Sequence, residues 1–169
     1  MSRRPSLGLS ILLIALTAAA VTSCNRSVDV KEAIEVVDAT GGWYDAGIVD
    51  GKNKIVPSVT FRLKKKAGAD LAGVALNVVF RHPAPAGADL EEDWDEVFIQ
   101  RAGFKDADQT EPLTVRTEKG YTGDPPQSRL DILRHSQFRD VRARIYAKFS
   151  SSQWVEIGSV DVQRQLLVR

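Results

Sequence analysis

The stretch Val141-Arg142-Ala143-Arg144-Ile145-Tyr146-Ala147-Lys148-Phe149 decides the fold. Val141, Ala143, Ile145, Ala147 and Phe149 fall on one side of an extended chain, and Arg142, Arg144, Tyr146 and Lys148 on the other. Successive side chains of a strand project to opposite faces, so this period of two marks a β-strand with one buried and one wet face. Ser150-Ser151-Ser152 turns the chain, and Trp154 to Val162 returns as the hairpin partner. Residues 163–169 are expected to prolong that partner.

The same period recurs upstream. Val59, Phe61 and Leu63 alternate with Thr60, Arg62 and Lys64, and Val74, Leu76, Val78 and Phe80 repeat the pattern on a further strand. Ile34 to Val37 predicts a first strand, Gly41-Gly42 a turn, and Trp43-Tyr44 the start of another extended piece. Asp50-Gly51-Lys52-Asn53 and Ala67-Gly68-Ala69-Asp70 carry turn chemistry, because Gly, Asn and Asp tolerate the positive φ values of tight turns. Strands are predicted around Val97-Phe98-Ile99 and over Leu113, Val115 and Thr117, with a long rigid turn over 120–127. Ser128 and Asp131 have the spacing of a capping box, so a short helix is expected over 129–137, with Leu130 and Leu133 sharing one face. About seven short strands with one short helix predict an all-β fold, an antiparallel β-sandwich of immunoglobulin/fibronectin-like type. A small β-barrel is the alternative.

The N-terminus carries a different signal. Arg3 and Arg4 precede an apolar run from Leu7 to Val21, which ends in Val21-Thr22-Ser23-Cys24. The run suits a signal peptide and is short for a span, which needs about 20 apolar residues. The four residues that end it resemble the lipobox of bacterial lipoproteins: an aliphatic residue, two small residues, then a cysteine. The resemblance covers about residues 1–24. It implies cleavage before Cys24, acylation of that cysteine, and a membrane partner engaged through the lipid. Cys24 is the only cysteine in the chain, so no intrachain disulfide can form, and acylation would account for it. Asn25, where such lipoproteins can carry a retention-type Asp, points to the outer membrane with the protein facing the periplasm. The expected organisation is a signal peptide over 1–23, a lipidated cysteine and short tether over 24–32, and a β-sandwich over 33–169.

The signal holds two of the 23 basic residues and none of the 22 acidic ones, so the mature side chains carry a net charge near −1. A general nucleic-acid binder would carry a basic excess, so no nucleic-acid partner is expected. His82 and His135 sit on different predicted elements, and a zinc site wants three or four ligands. The acidic run Asp89, Glu91, Glu92, Asp93, Asp95, Glu96 lacks the spacing and glycine of a calcium loop. It reads better as a solvated loop set against a basic strand face. Neither a nucleophile elbow nor a phosphate-binding loop is present. No catalytic residue, metal or cofactor is therefore expected.

Two features could form a binding surface. Arg142, Arg144 and Lys148 line one strand face, with Lys64-Lys65-Lys66 as a second basic cluster able to meet anionic head groups or an acidic partner. Trp43, Trp94 and Trp154, with Tyr44, Tyr121 and Tyr146, could supply aromatic contacts, Trp43 and Tyr121 foremost. The leading expectation is a non-enzymatic interaction or accessory module with an envelope protein as partner. A small-ligand or glycan binder using aromatics and loops around 120–127 is the second. A hydrolase is the third, and it would require a histidine within reach of a serine and a carboxylate.

Overall fold

The computed structural model describes residues 28–84, 90–105 and 107–167. A short helix α1 (Val30–Ala33) opens the described chain. It is followed by β1 (Ile34–Val49), β2 (Lys52–Lys65), β3 (Gly73–His82), β4 (Glu92–Gly103), β5 (Leu113–Arg116) and β6 (Tyr121–Gly123). Helix α2 (Arg129–Arg134) then leads to β7 (Val141–Lys148) and β8 (Val155–Val162). The strands form two antiparallel sheets. One has the order β1-β2-β5, with β6 also on β2, and the other the order β4-β3-β7-β8. The all-β sandwich read from the alternation is thus the observed architecture, and the β7–β8 hairpin pairs from Val141↔Val162 to Ala147↔Val155.

β1 differs from expectation. Gly41-Gly42 is not a turn; the strand runs straight through it, with irregularities between Val37 and Thr40 and between Asp45 and Gly47. The glycines serve a close crossing instead. A Cβ on Gly41 would lie 2.7 Å from the Asp161 carbonyl oxygen, and one on Gly42 2.6 Å from Leu167 Cδ2. The chain after β8 does not prolong that strand either. It crosses to the first sheet, where the Trp43 N–H donates to the Gln165 carbonyl at 2.8 Å and the Leu167 N–H to the Trp43 carbonyl at 2.8 Å. Trp43 and Leu166 form a parallel bridge.

That crossing explains a second departure. Because both backbone polar groups of Trp43 face the C-terminal segment, Pro57, its partner on β2, is in a non-hydrogen-bonded pair with β1. The place where Pro57 lacks an N–H therefore faces the other neighbour. There the fifth strand breaks: β5 ends at Arg116 opposite Ser58, and β6 resumes at Tyr121 opposite Ile55. So the expected turn over 120–127 begins with a strand, β6. Proline in a central strand removes a ladder bond, and here the ladder is interrupted at that point.

The turn Asp50-Gly51 joins β1 to β2 with φ of 51° and 78°, as its residue types predict. Ser128 and Asp131 form the expected capping box. The helix ends at Arg134 rather than near 137, and it buries Ile132 and Leu133 while Leu130 is exposed. The core lies between the sheets, with Ile55, Val59, Phe61 and Leu63 facing Leu76, Val78, Phe80, Ala143 and Ile145. Val30 on α1 is buried in the same core, so residues 30–32 belong to the folded unit.

The register defines two ends. At one lie α1, the 66–72 and 104–112 connections and the 149–154 turn. At the other lie the Asp50-Gly51 turn, the β3–β4 connection and α2. β3 alone, at about 3.3 Å per residue, sets these ends some 30 Å apart. Replacing Gly41 by Ala should lower stability by about 1–3 kcal/mol, because only backbone stands in the way of the new methyl group. Gly103→Ala, whose Cβ would meet nothing closer than 3.7 Å, should stay within about 0.5 kcal/mol of the wild type. Urea unfolding of both variants checks the contrast.

Candidate functional site

The basic strand face is not a free cationic stripe. Arg144 Nε donates to Glu91 Oε2 at 2.6 Å, and Arg144 Nη1 donates to Glu156 Oε2 at 2.9 Å. Arg142 Nε donates to Asp161 Oδ1 at 2.6 Å, and its Nη1 lies 3.7 Å from Glu91 Oε1. Arg81, the β3 neighbour of Arg142, pairs with Asp93 at 2.5 Å and approaches Glu91 at 3.9 Å. Glu91 thus sits among three guanidinium groups, its side chain only 14% exposed. The hydrogen bond from Arg144, reinforced by the charges of Arg144, Arg142 and Arg81, holds its carboxyl below the ordinary carboxylate range. Arg144 and Arg142 are pushed up in turn, by their hydrogen bonds to Glu91 and Asp161 respectively. Glu91 and Asp93 of the acidic run thus pair with the arginines of this sheet, in line with the expected acidic loop set against a basic strand face.

Lys148 stands apart from this network. Its ammonium lies 4.9 Å from the centroid of Trp154, which meets Phe98 edge-on at 5.8 Å. Phe98 is 58% exposed and Trp154 37%. The outer face of the second sheet is therefore divided: a closed ion-pair network towards the α2 end, exposed aromatics with a lysine towards the α1 end. In the second basic cluster Lys64 pairs with Glu35 at 3.7 Å, Lys65 lies over Phe104, and Lys66 Nζ donates to the Lys31 carbonyl.

Trp43 and Tyr121 do come together, but not as a surface. Trp43 is fully buried. It packs against Phe138 at 4.7 Å, Tyr121 at 5.6 Å and Trp94 at 6.0 Å. The Trp43 indole N–H has no hydrogen-bond partner among the described residues. Tyr121 is half-buried and forms one wall of a cleft of about 280 Å³, with Thr122, Gln127, Ile132, His135, Gln137 and Phe138. Its hydroxyl accepts from the Arg139 N–H at 3.1 Å. The Asn53 amide donates to the Gln127 carbonyl at 2.6 Å, and Arg129 to Asp45 at 3.0 Å, which fixes the α2 region on the first sheet. The cleft wall is aromatic and neutral polar, with amides, a hydroxyl and an imidazole. The expected loop region 120–127 contributes Tyr121, Thr122 and Gln127. Ile132, His135, Gln137 and Phe138 were not anticipated; the capping box located the helix that carries Ile132, but no periodicity shows which side of it faces a cleft or how the chain runs after Arg134.

His82 stacks on Trp94 with centroids 5.0 Å apart, and its Nδ1 bonds the Asp140 carbonyl at 2.9 Å. His135 Nδ1 accepts from the Gln137 N–H. Among the described residues neither histidine hydrogen-bonds a serine or a carboxylate, and no group of three or more metal-ligating side chains occurs. Cys24 lies outside the described residues. No helix among them is long and apolar enough to cross a membrane. Comparisons with protein-family models, curated proteins and solved structures find no match to this chain.

Glu91→Gln should destabilise the fold by roughly 1–3 kcal/mol, because it leaves three arginines short of their shared acceptor. The sign with pH follows from the lowered carboxyl. The stability it supplies is complete above the ordinary glutamate pKa near 4.3 and is lost as pH falls through the lower folded value. Unfolding midpoints of wild type and Glu91→Gln, measured from neutral pH downwards, should therefore converge in acid.

Proposed function

We propose that this chain is a lipid-tethered protein of the bacterial cell envelope whose β-sandwich is a non-enzymatic interaction module. Arg3, Arg4 and the Val21-Thr22-Ser23-Cys24 sequence support the tether, and Asn25 supports an outer-membrane position facing the periplasm. The strand order β1-β2-β5 against β4-β3-β7-β8 supports an immunoglobulin/fibronectin-like topology, a scaffold whose function is set by the surfaces it displays. One observation carries the reading: the described chain enters the fold through α1 at one end, and the α2 cleft lies at the other. A tether at the first end turns the second towards the aqueous compartment and an envelope partner.

A second reading is favoured by the cleft wall itself. Tyr121 offers a ring, and Gln127, Gln137, Thr122 and His135 offer hydrogen-bonding groups without fixed charge. That chemistry suits one uncharged, hydroxyl-rich ring such as a sugar unit, and the volume is at the small end for ligand sites.

Photo-crosslinking in living cells separates the readings. A crosslinker at Gln137, beside the cleft, should capture a defined envelope protein, whereas one at Gly68, at the α1 end, should not. The product should disappear in Cys24→Ala. Labelling of the Gln137 position by glycan instead of protein would favour the second reading. Turnover of a substrate by the purified chain, abolished by a change in the cleft, would overturn both.

A further inference from the structure

We propose that the α1-end half of the outer face of the second sheet docks on the head-group zone of an anionic bilayer, so that the domain lies against the membrane rather than standing free of it. The inference rests on the tethered reading of Cys24, and three observations carry it beyond that reading.

The first is reach. Three residues separate Cys24 from Val28, where the described chain begins, and the four residue steps cover at most about 14 Å when fully extended. Val28 lies beside α1 and the 67–70 turn, with which it lines a shallow depression. This end of the sandwich therefore cannot leave the vicinity of the lipid, whatever path the intervening residues take.

The second is what this end exposes. Phe98 and Trp154 pack edge to face and remain 58% and 37% exposed, with the Lys148 ammonium over the Trp154 ring. Tryptophan has an apolar body and a polar N–H, which is why it concentrates at the level of lipid head groups. Aromatic residues on one surface with lysine or arginine beside them have the composition of an interfacial anchor.

The third is charge. The arginines of the other half of this face are consumed by Glu91, Glu156, Asp161 and Asp93. Lys148, Arg101 and Lys105 form no ion pair among the described residues. Arg101 and Lys105, with Lys65, border a depression of about 480 Å³ in which Asp70 is the one carboxylate among the described lining residues. Unpaired cations at the tethered end are complementary to lipid phosphate, and short-range attraction of this kind acts within a Debye length of the surface. A protein partner would find the same aromatics, and it is an outcome of the test below; the short reach from Cys24 and the unpaired cations favour the bilayer.

The test uses the mature lipidated chain reconstituted in vesicles of phosphatidylethanolamine and phosphatidylglycerol, with and without brominated phosphatidylcholine. Bromine quenches tryptophan only on close approach. Trp43 is buried and Trp94 half-buried, so the brominated lipid should quench chiefly Trp154, and Trp154→Phe should lose most of that quenching. Lys148→Glu combined with Arg101→Glu should reduce quenching several-fold while Cys24 keeps the protein on the vesicle. Replacing phosphatidylglycerol with phosphatidylcholine should also reduce it, whereas free inorganic phosphate should leave Trp154 emission unchanged. Wild-type emission indifferent to brominated lipid, with the acyl mass present on Cys24, overturns the inference and leaves the tether standing. Emission indifferent to lipid together with a concentration-dependent dimer would assign the face to a second copy instead. Absence of acyl mass on Cys24 removes the tethered reading and this inference with it.

Discussion

The sandwich depends on the seam where the C-terminal segment leaves the second sheet and pairs with β1 at Gly41-Gly42-Trp43. A chain with one cysteine has no disulfide to hold its sheets together, so they must be joined by packing and by the path of the backbone. The crossing does both. It links the end of β8 to the outer edge of the first sheet through the Trp43 N–H and carbonyl, and it covers an edge that would otherwise offer unpaired groups to another chain. At Gly41 the backbones approach too closely for any Cβ, and at Gly42 a Cβ would collide with the Leu167 side chain. The same bonds decide which way Pro57 faces, and hence where the fifth strand is interrupted. One contact thus fixes the edge of β1, the break between β5 and β6, and the burial of Trp43 behind Tyr121.

A second constraint works on the solvent side. Arginines on adjacent strands lie close enough to repel, as Arg81 and Arg142 do in register. Glu91, preceding β4, reaches back over the sheet and accepts from Arg144 while lying near the other two. Such a carboxylate lowers the repulsion on the face and attaches the end of the β3–β4 connection to β7. Surface ion pairs are worth little singly; one in which a half-buried acceptor is shared among three fixed guanidinium groups loses less side-chain entropy per bond. The result is that Arg81, Arg142 and Arg144, at the α2 half of this face, are all ion-paired.

What could be read in the sequence follows the range over which the causes act. Alternation is local, so β3 and β7 were legible residue by residue, and the Asp50-Gly51 turn and the Ser128–Asp131 cap were legible for the same reason. Gly41-Gly42 misled because a glycine pair has two uses, a turn or a close crossing. The choice between them is made by Asp161 and Leu167, more than a hundred residues away. The prolongation of β8 failed on the same contact. The basic residues were correctly placed on one face of β7 and an acidic loop was expected against such a face, but which carboxylates reach which arginines depends on where the chain carries Glu91. The cleft was half legible: Tyr121 and Gln127 fell in the expected loop region, while Phe138 and Ile132 depend on how α2 packs on the first sheet.

These constraints together give the domain a polarity. The aromatic residues divide into two sets with opposite treatment. Trp43, Phe138 and Tyr121 pack on one another towards the α2 end, where they back a neutral cleft. Phe98 and Trp154 meet edge-on on an outer face, towards the end where the described chain begins. Burial of the first set is explained by the core, which needs large apolar side chains to fill the α2 end. The core gives no reason for the second set, because a strand position on a solvated face accepts polar residues at no cost to packing. Two large aromatics stand there with a lysine over one ring, an exposed apolar pair of the kind that contact with another surface would cover. Under the proposed tether at Cys24, a membrane surface would be the one within reach of this face.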